Sequence, residues 1–188
     1  QRQHDSYRQG YLNQPTQSLI NIKSAKPNGF TLAFQQHEEN TMYQRILVAT
    51  DGSKLSQKAV THAIGLADLT GAELVALKVV PRYPLTYFEG GMTVAMNEVN
   101  RIEEEWMAEA HATVNAVKSA AQKKTVKVKA VTVKSDLIAE TIMATAKRSK
   151  CDLIVMASHG RKGLKRLLLG SETQHVLTHS AIPVLVLR

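Results

Sequence analysis

The sequence predicts an α/β fold: a single domain built on an open, parallel, five-stranded sheet, doubly wound with helices on both faces. Two observations carry that reading. Short apolar, β-branched runs alternate with longer stretches whose apolar residues recur at helical spacing, in the order β-α-β-α-β-α-β-α-β. One of the runs, "CDLIVMAS" (Cys151–Ser158), is almost continuously apolar, as a strand covered on both faces must be.

Each element follows from its own residues. "YQRILVAT" (Tyr43–Thr50) is a strand that stops at the turn residues Asp51-Gly52-Ser53. Leu55, Ala59, Val60, Ala63, Ile64 and Ala67 then mark the inner face of a helix. "AELVALKVV" (Ala72–Val80) is the second strand, and the Pro-, Tyr- and Gly-containing segment 81–91 reads as a long loop. A long helix from about Val94 to Gln122 carries Val99, Ile102, Trp106, Ala110, Thr113, Val114 and Val117 on one stripe. "TVKVKAVTVK" (Thr125–Lys134) alternates apolar and polar residues, which fits a strand with one face less buried, or one near the sheet edge. Ser135 is a candidate cap for the next helix, whose inner face holds Ile138, Ile142 and Ala146. After Cys151–Ser158 come a glycine-bearing loop, a helix from Ser171 to Ser180, and a closing strand, "IPVLVLR".

Composition narrows the function classes. With 188 residues, 44% of them hydrophobic, the chain can bury a continuous core. The one cysteine, Cys151, precludes an internal disulfide, fits a reducing, cytoplasmic setting and reads as a small core residue. No apolar run reaches the roughly 18 to 20 residues that cross a bilayer, so no membrane role is expected. A net charge of +8 invites a nucleic-acid reading, but the cations are scattered over several segments and aromatics make up only 5%, too few for stacking platforms. A solvated basic surface is expected instead. Residues 1–41, rich in Gln, Asn and Ser and without periodicity, are expected to be a disordered arm upstream of the working domain, 42–188.

In a doubly wound sheet, ligands bind outside the carboxyl ends of strands where strand order reverses. Two loops qualify: Thr50–Ser53 after the first strand and Ala157–Ser171 after the fourth. In the second, Gly160 and Gly163 allow positive φ and close backbone approach, and Gly170-Ser171 opens a helix whose unpaired amides favour an anion. Ser171 serves equally as a helix cap or a phosphate ligand. Arg161, Lys162, Lys165 and Arg166 add long-range attraction. Asp51 alone reads as readily as a turn-forming residue, and Val79 is a core residue on any reading. His159 is expected to make a loop-stabilising hydrogen bond; His175 and His179 share a helix face but lack a third metal ligand. Neither the Gly-x4-Gly-Lys-Ser/Thr phosphate loop nor Gly-x-Gly-x-x-Gly is present.

Taken together, "VATDGS", "MASH-G", nine residues, Gly-Ser and the closing "IPVLVLR" resemble the universal stress protein family over Met42–Arg188. The resemblance implies a Rossmann-like sheet of the adenine nucleotide alpha hydrolase kind and, in the family's nucleotide-binding branch, the motif Gly-x2-Gly-x9-Gly-Ser/Thr. Its positions fall on Ala157, Gly160, Gly170 and Ser171, with alanine in place of the first glycine. That substitution is harmless at ordinary strand-end dihedrals and damaging if positive φ is required. The resemblance further implies ATP or a related adenine nucleotide, with Ala49, Thr50 and Asp51 beside the adenosine and Asp51 facing ribose or nucleotide-bound Mg2+. Val79 would pack on adenine and Met156 and Ala157 would line the floor. Gly160, Arg161, Gly170, Ser171, Glu172 and Thr173 would surround the phosphates. It also implies a homodimer through Pro183–Leu187. The expected role is a stress-response sensor or regulator; slow ATP hydrolysis or phosphoryl transfer, and a nucleotide-free interaction module, are the alternatives.

Overall fold

The computed structural model of the chain describes residues 42–83, 96–160 and 169–188. The expected arm, most of the 81–91 loop, and Arg161, Lys162, Gly163, Lys165 and Arg166 lie outside the described residues. The elements are β1 Arg45–Ala49, α1 Lys54–Thr70, β2 Glu73–Val80, α2 Met96–Gln122, β3 Val128–Lys134, α3 Ile138–Arg148, β4 Leu153–Ala157, α4 Ser171–His179 and β5 Val184–Leu187. All neighbouring strands pair in parallel, in the order β3-β2-β1-β4-β5. The chain reverses its winding between β1 and β4, so the switch point lies at their carboxyl ends.

Alternation within each strand splits the core between the two faces of the sheet. Ile46 and Val48 of β1, with Leu74 and Ala76 of β2, pack beneath α1 and α2 through Ala59, Ala63, Val114 and Val117. Leu47, Val75, Leu77, Ile154 and Met156 pack on the other face beneath Ala139, Ile142 and Ala146 of α3 and Val176 of α4. The central strands β1 and β4 are apolar on both faces because both faces are covered. β3 is an edge strand, as its alternation predicts. Cys151 is buried in the α3/α4-side core, and that burial pushes its thiol up to about 11.

Local chemistry fixes the ends. Ser53 caps α1 by accepting from the Ser56 amide at 3.2 Å, and Gly71 closes that helix with a left-handed φ of 71°. The start of β1 is gripped from both sides. The Asp152 carboxylate accepts from the amides of Gln44 (2.7 Å) and Arg45 (3.1 Å), while the Arg45 guanidinium reaches Glu73 at 2.8 Å and donates to the Ser149 carbonyl at 2.9 Å. Lys78, nearly buried beneath α2, reaches Glu109 at 3.3 Å and Thr113 at 3.1 Å.

Two helix starts differ from expectation. Gly170, not Ser171, is the N-cap of α4, so Ser171 is the first helical residue and its side chain is exposed. For α3, Leu137 holds the N-cap position and makes no side-chain bond. Ser135 instead folds a tight turn, accepting from the Leu137 amide at 3.2 Å. The missing cap comes from another helix: Glu172 accepts from the Ala139 amide at 2.9 Å. Ala139 is the second residue of α3, and its amide is one that a capping side chain ordinarily satisfies.

Candidate functional site

The carboxyl end of β1 turns through a compact polar knot. The Thr50 amide donates to the Leu77 carbonyl of β2 at 2.9 Å, and its buried hydroxyl lies 3.0 Å from the Ser56 hydroxyl. The Gly52 amide donates to Thr50 Oγ1 at 3.2 Å, and the Ser53 amide to Asp51 Oδ1 at 2.9 Å. Gly52 adopts φ 84°, the left-handed conformation that lets the chain turn from strand into helix so tightly. These bonds fix the Asp51 carboxylate above the strand end.

The β4 side is tied as firmly. The Ser158 amide donates to Leu187 of β5 at 2.8 Å, and the Gly170 amide donates back to the Ser158 carbonyl at 2.9 Å, closing the loop on itself. The buried Thr173 hydroxyl donates to the Ala157 carbonyl at 3.0 Å. His159 Nδ1 lies 3.2 Å from the Ser158 hydroxyl, the stabilising contact the sequence suggests.

The two loops meet at Gly160. A Cβ on this residue would stand 2.8 Å from Asp51 Oδ2, closer than side chains tolerate, and Asp51 cannot simply swing aside because its other oxygen holds the Ser53 amide. Gly160 is therefore required by proximity. The expected positive φ is not what it supplies, since its φ is not left-handed. Gly170, at φ −64°, is under no such constraint: a Cβ there would lie in ordinary van der Waals contact with the backbone of His159 at 3.4 Å.

Ala157 also resolves on geometry. It is the last residue of β4, is buried, and does not have positive φ; among the described residues, Thr125 and Lys150 are the non-glycine positions that do. An alanine is at no conformational disadvantage there.

Not every predicted residue points the same way. Thr50, Asp51, Ala157, Gly160 and Gly170 converge at the β1/β4 switch point, with the amino end of α4 directed toward it. Ala49 and Val79 are half-buried on the α3/α4 face and Met156 is buried beside them. The side chains of Glu172 and Thr173 are already engaged, the first with α3 and the second with β4. Arg161 lies outside the described residues. Sequence reasoning missed the Glu172 cap, because nothing local to Ala139 announces a partner 33 residues away. Among the described residues no group of three metal-ligating side chains occurs.

Comparison with protein families matches residues 42–188 to the universal stress protein family. The chain belongs to that family. Universal stress protein MJ0531 of Methanocaldococcus jannaschii is 34% identical over 147 residues, covering 78% of this chain and 83% of the relative. The solved structure of MJ0577, from the same organism, superposes with a TM-score of 0.65 at 30% identity, over 78% of this chain and 96% of that one. A universal stress protein solved in complex with cAMP shares the fold at 24% identity and a TM-score of 0.54, over 77% of this chain and 95% of that one. The five-stranded parallel sheet with four helices is thus the universal stress protein fold.

Proposed function

We propose that this universal stress protein binds an adenine nucleotide, ATP by preference, at the β1/β4 switch point and serves as a cytoplasmic stress sensor or regulator. The observation that carries the reading is the contact of Gly160 with Asp51. It brings the two strand-end loops together beside the glycine-capped start of α4. The first amides of a helix have no carbonyl one turn back to bond, and here no capping side chain takes their place, so they are suited to phosphate oxygens. Ser171 adds an exposed hydroxyl at the same point. Ala49 and Val79 offer half-buried apolar surface suited to a base.

A carboxylate beside phosphates repels them unless a cation intervenes. Asp51 therefore favours a nucleotide that brings its own Mg2+, which supplies charge neutralisation between Asp51 and the phosphates. The cAMP complex of a fold relative is consistent with an adenine ligand for this fold. The Ser158 hydroxyl, 3.2 Å from His159 Nδ1, is buried and so poorly placed as a nucleophile, and regulation through loop order fits better than metabolic turnover. At the sheet's far edge, β5 leaves one side unpaired among the described residues, and antiparallel self-pairing of Pro183–Leu187 would cover it and form a homodimer.

Mass spectrometry of small molecules released from freshly purified protein, followed by titration of ATP with Mg2+ into stripped protein, tests the nucleotide reading. An adenine nucleotide is expected in the first and saturable binding in the second. No release and no saturation at millimolar ATP would sink it.

A further inference from the structure

The opposite rim of the sheet, where β1, β2 and β3 begin, carries a feature unrelated to the nucleotide cleft. A cavity of about 550 Å³ opens there between the sheet and the end of α3. Its floor follows from register. Leu74 pairs with Val128 and Val75 with Lys129, so Lys127 and Lys129 fall on the same face as Val75 and Leu47, the face that α3 covers. The wall is Arg148, Ser149 and Lys150 at the end of that helix. A second cavity of about 300 Å³ shares Glu73 and Lys127 with the first and continues the groove around the rim to Lys124.

The charge in this groove is uncompensated. Glu73 is bound to Arg45 through Nε at 3.0 Å and Nη2 at 2.8 Å, and Asp68 accepts from Lys124 at 3.4 Å. Lys127, Lys129, Arg148 and Lys150 are exposed and have no side-chain partner among the described residues. Lysines on an edge strand deter aggregation, and cations suit a helix carboxyl end, which explains either group alone. Neither explains why the two groups face each other across one cavity. Lys150 is also held at φ 54°, a position where glycine is the usual occupant.

We propose that this groove is a second binding site that takes a linear chain of phosphates. Lys127 and Lys129 lie two strand residues apart, about 6 to 7 Å, so they present repeated positive charge along an extended polyanion. The cations are exposed and on long side chains, unlike the enclosed cradle a single phosphate needs. No aromatic residue lines either cavity, so contact is with the phosphate backbone and without base stacking. Inorganic polyphosphate and single-stranded RNA share this chemistry.

Fluorescence anisotropy with labelled polyphosphate and, separately, labelled oligouridylate tests the site on the full chain. Four contacts predict a log–log salt slope of about −3, and each cation removed should weaken binding about 5-fold near 0.1 M salt. Lys150→Gly is the discriminating variant, since it removes a charge while relieving the left-handed strain; its melting temperature should not fall. Lys127→Gln with Lys129→Gln should weaken binding about 25-fold, whereas Lys118→Gln on α2 should leave it unchanged. Groove-dependent binding of polyphosphate alone assigns an inorganic source, and of both probes a source that includes nucleic acid. Absent binding at low salt, or equal losses from Lys118→Gln and the groove variants, would overturn the proposal.

Discussion

On the proposals above, the two rims of this sheet would approach an anion by opposite means. At the carboxyl rim, Gly160, Gly170 and Asp51 come together, backbone amides at the start of α4 would do the holding, and Asp51 and Glu172 add carboxylates. At the amino rim, Lys127, Lys129, Arg148 and Lys150 offer side-chain charge with little enclosure. Amides at a helix start are fixed in place and select a shape; exposed cations select a sign and are screened by salt. One sheet would thus combine a site that depends on close contact with one that depends on charge density.

Gly160→Val should break that contrast most severely. A side chain placed 2.8 Å from Asp51 Oδ2 forces the loops apart, so ATP binding should fall at least 100-fold by calorimetry, with an overpacking cost of about 1–3 kcal/mol in urea melts. Groove binding should survive, and its loss would show that the rims are not independent.

Changing salt from 50 to 200 mM should separate the rims next. Polyphosphate affinity should drop about 50-fold for a slope near −3, while ATP affinity shifts by a few-fold. Equal slopes would erase the distinction.

Val186→Pro probes the third exposed edge. The carbonyls of Pro183 and Leu187 face β4, so the amide of Val186 points away from the ladder, where a dimer partner would use it. Light scattering should report a shift from dimer to monomer with unchanged circular dichroism. Glu172→Ala should cost about 1 kcal/mol by removing the borrowed cap of α3, without altering polyphosphate binding.

The smallest effect is the pH dependence set by Cys151. Its folded-state thiol holds its proton up to about 11, above the ordinary value of 9.0, so the unfolded chain ionises first. Below pH 9 the residue contributes no pH dependence; stability falls as pH rises from 9 to about 11 and the loss then levels off. Cys151→Ala should remove that component from the difference between the two urea-melt profiles.

The order of strands and helices was legible in the sequence because hydrophobic period is a local property, and the two-sided burial of β4 was readable from "LIVMA" alone. The switch point where the two strand-end loops come together followed from topology, and the family from the motif residues. What escaped was non-local. Glu172 reaches α3 only once α4 has docked. Gly160 looked like a conformational glycine, and its true constraint, Asp51, lies more than a hundred residues earlier. The scattered cations looked like a diffuse surface until the β3-β2-β1 order brought the start of β3 beside the end of α3.

The grip of Asp152 and Arg45 on the start of β1 has a mechanical consequence. β1 lies in the middle of the sheet, parallel to both neighbours, and residue 42 feeds directly into it. Tension applied from that end along the strand would load β1 in shear, with all its ladder bonds sharing the force, rather than peel it one bond at a time. The clamp at Gln44 and Arg45 bears the load first. Whatever is tethered ahead of this domain can be tugged without unzipping the strand on which the proposed nucleotide site is built.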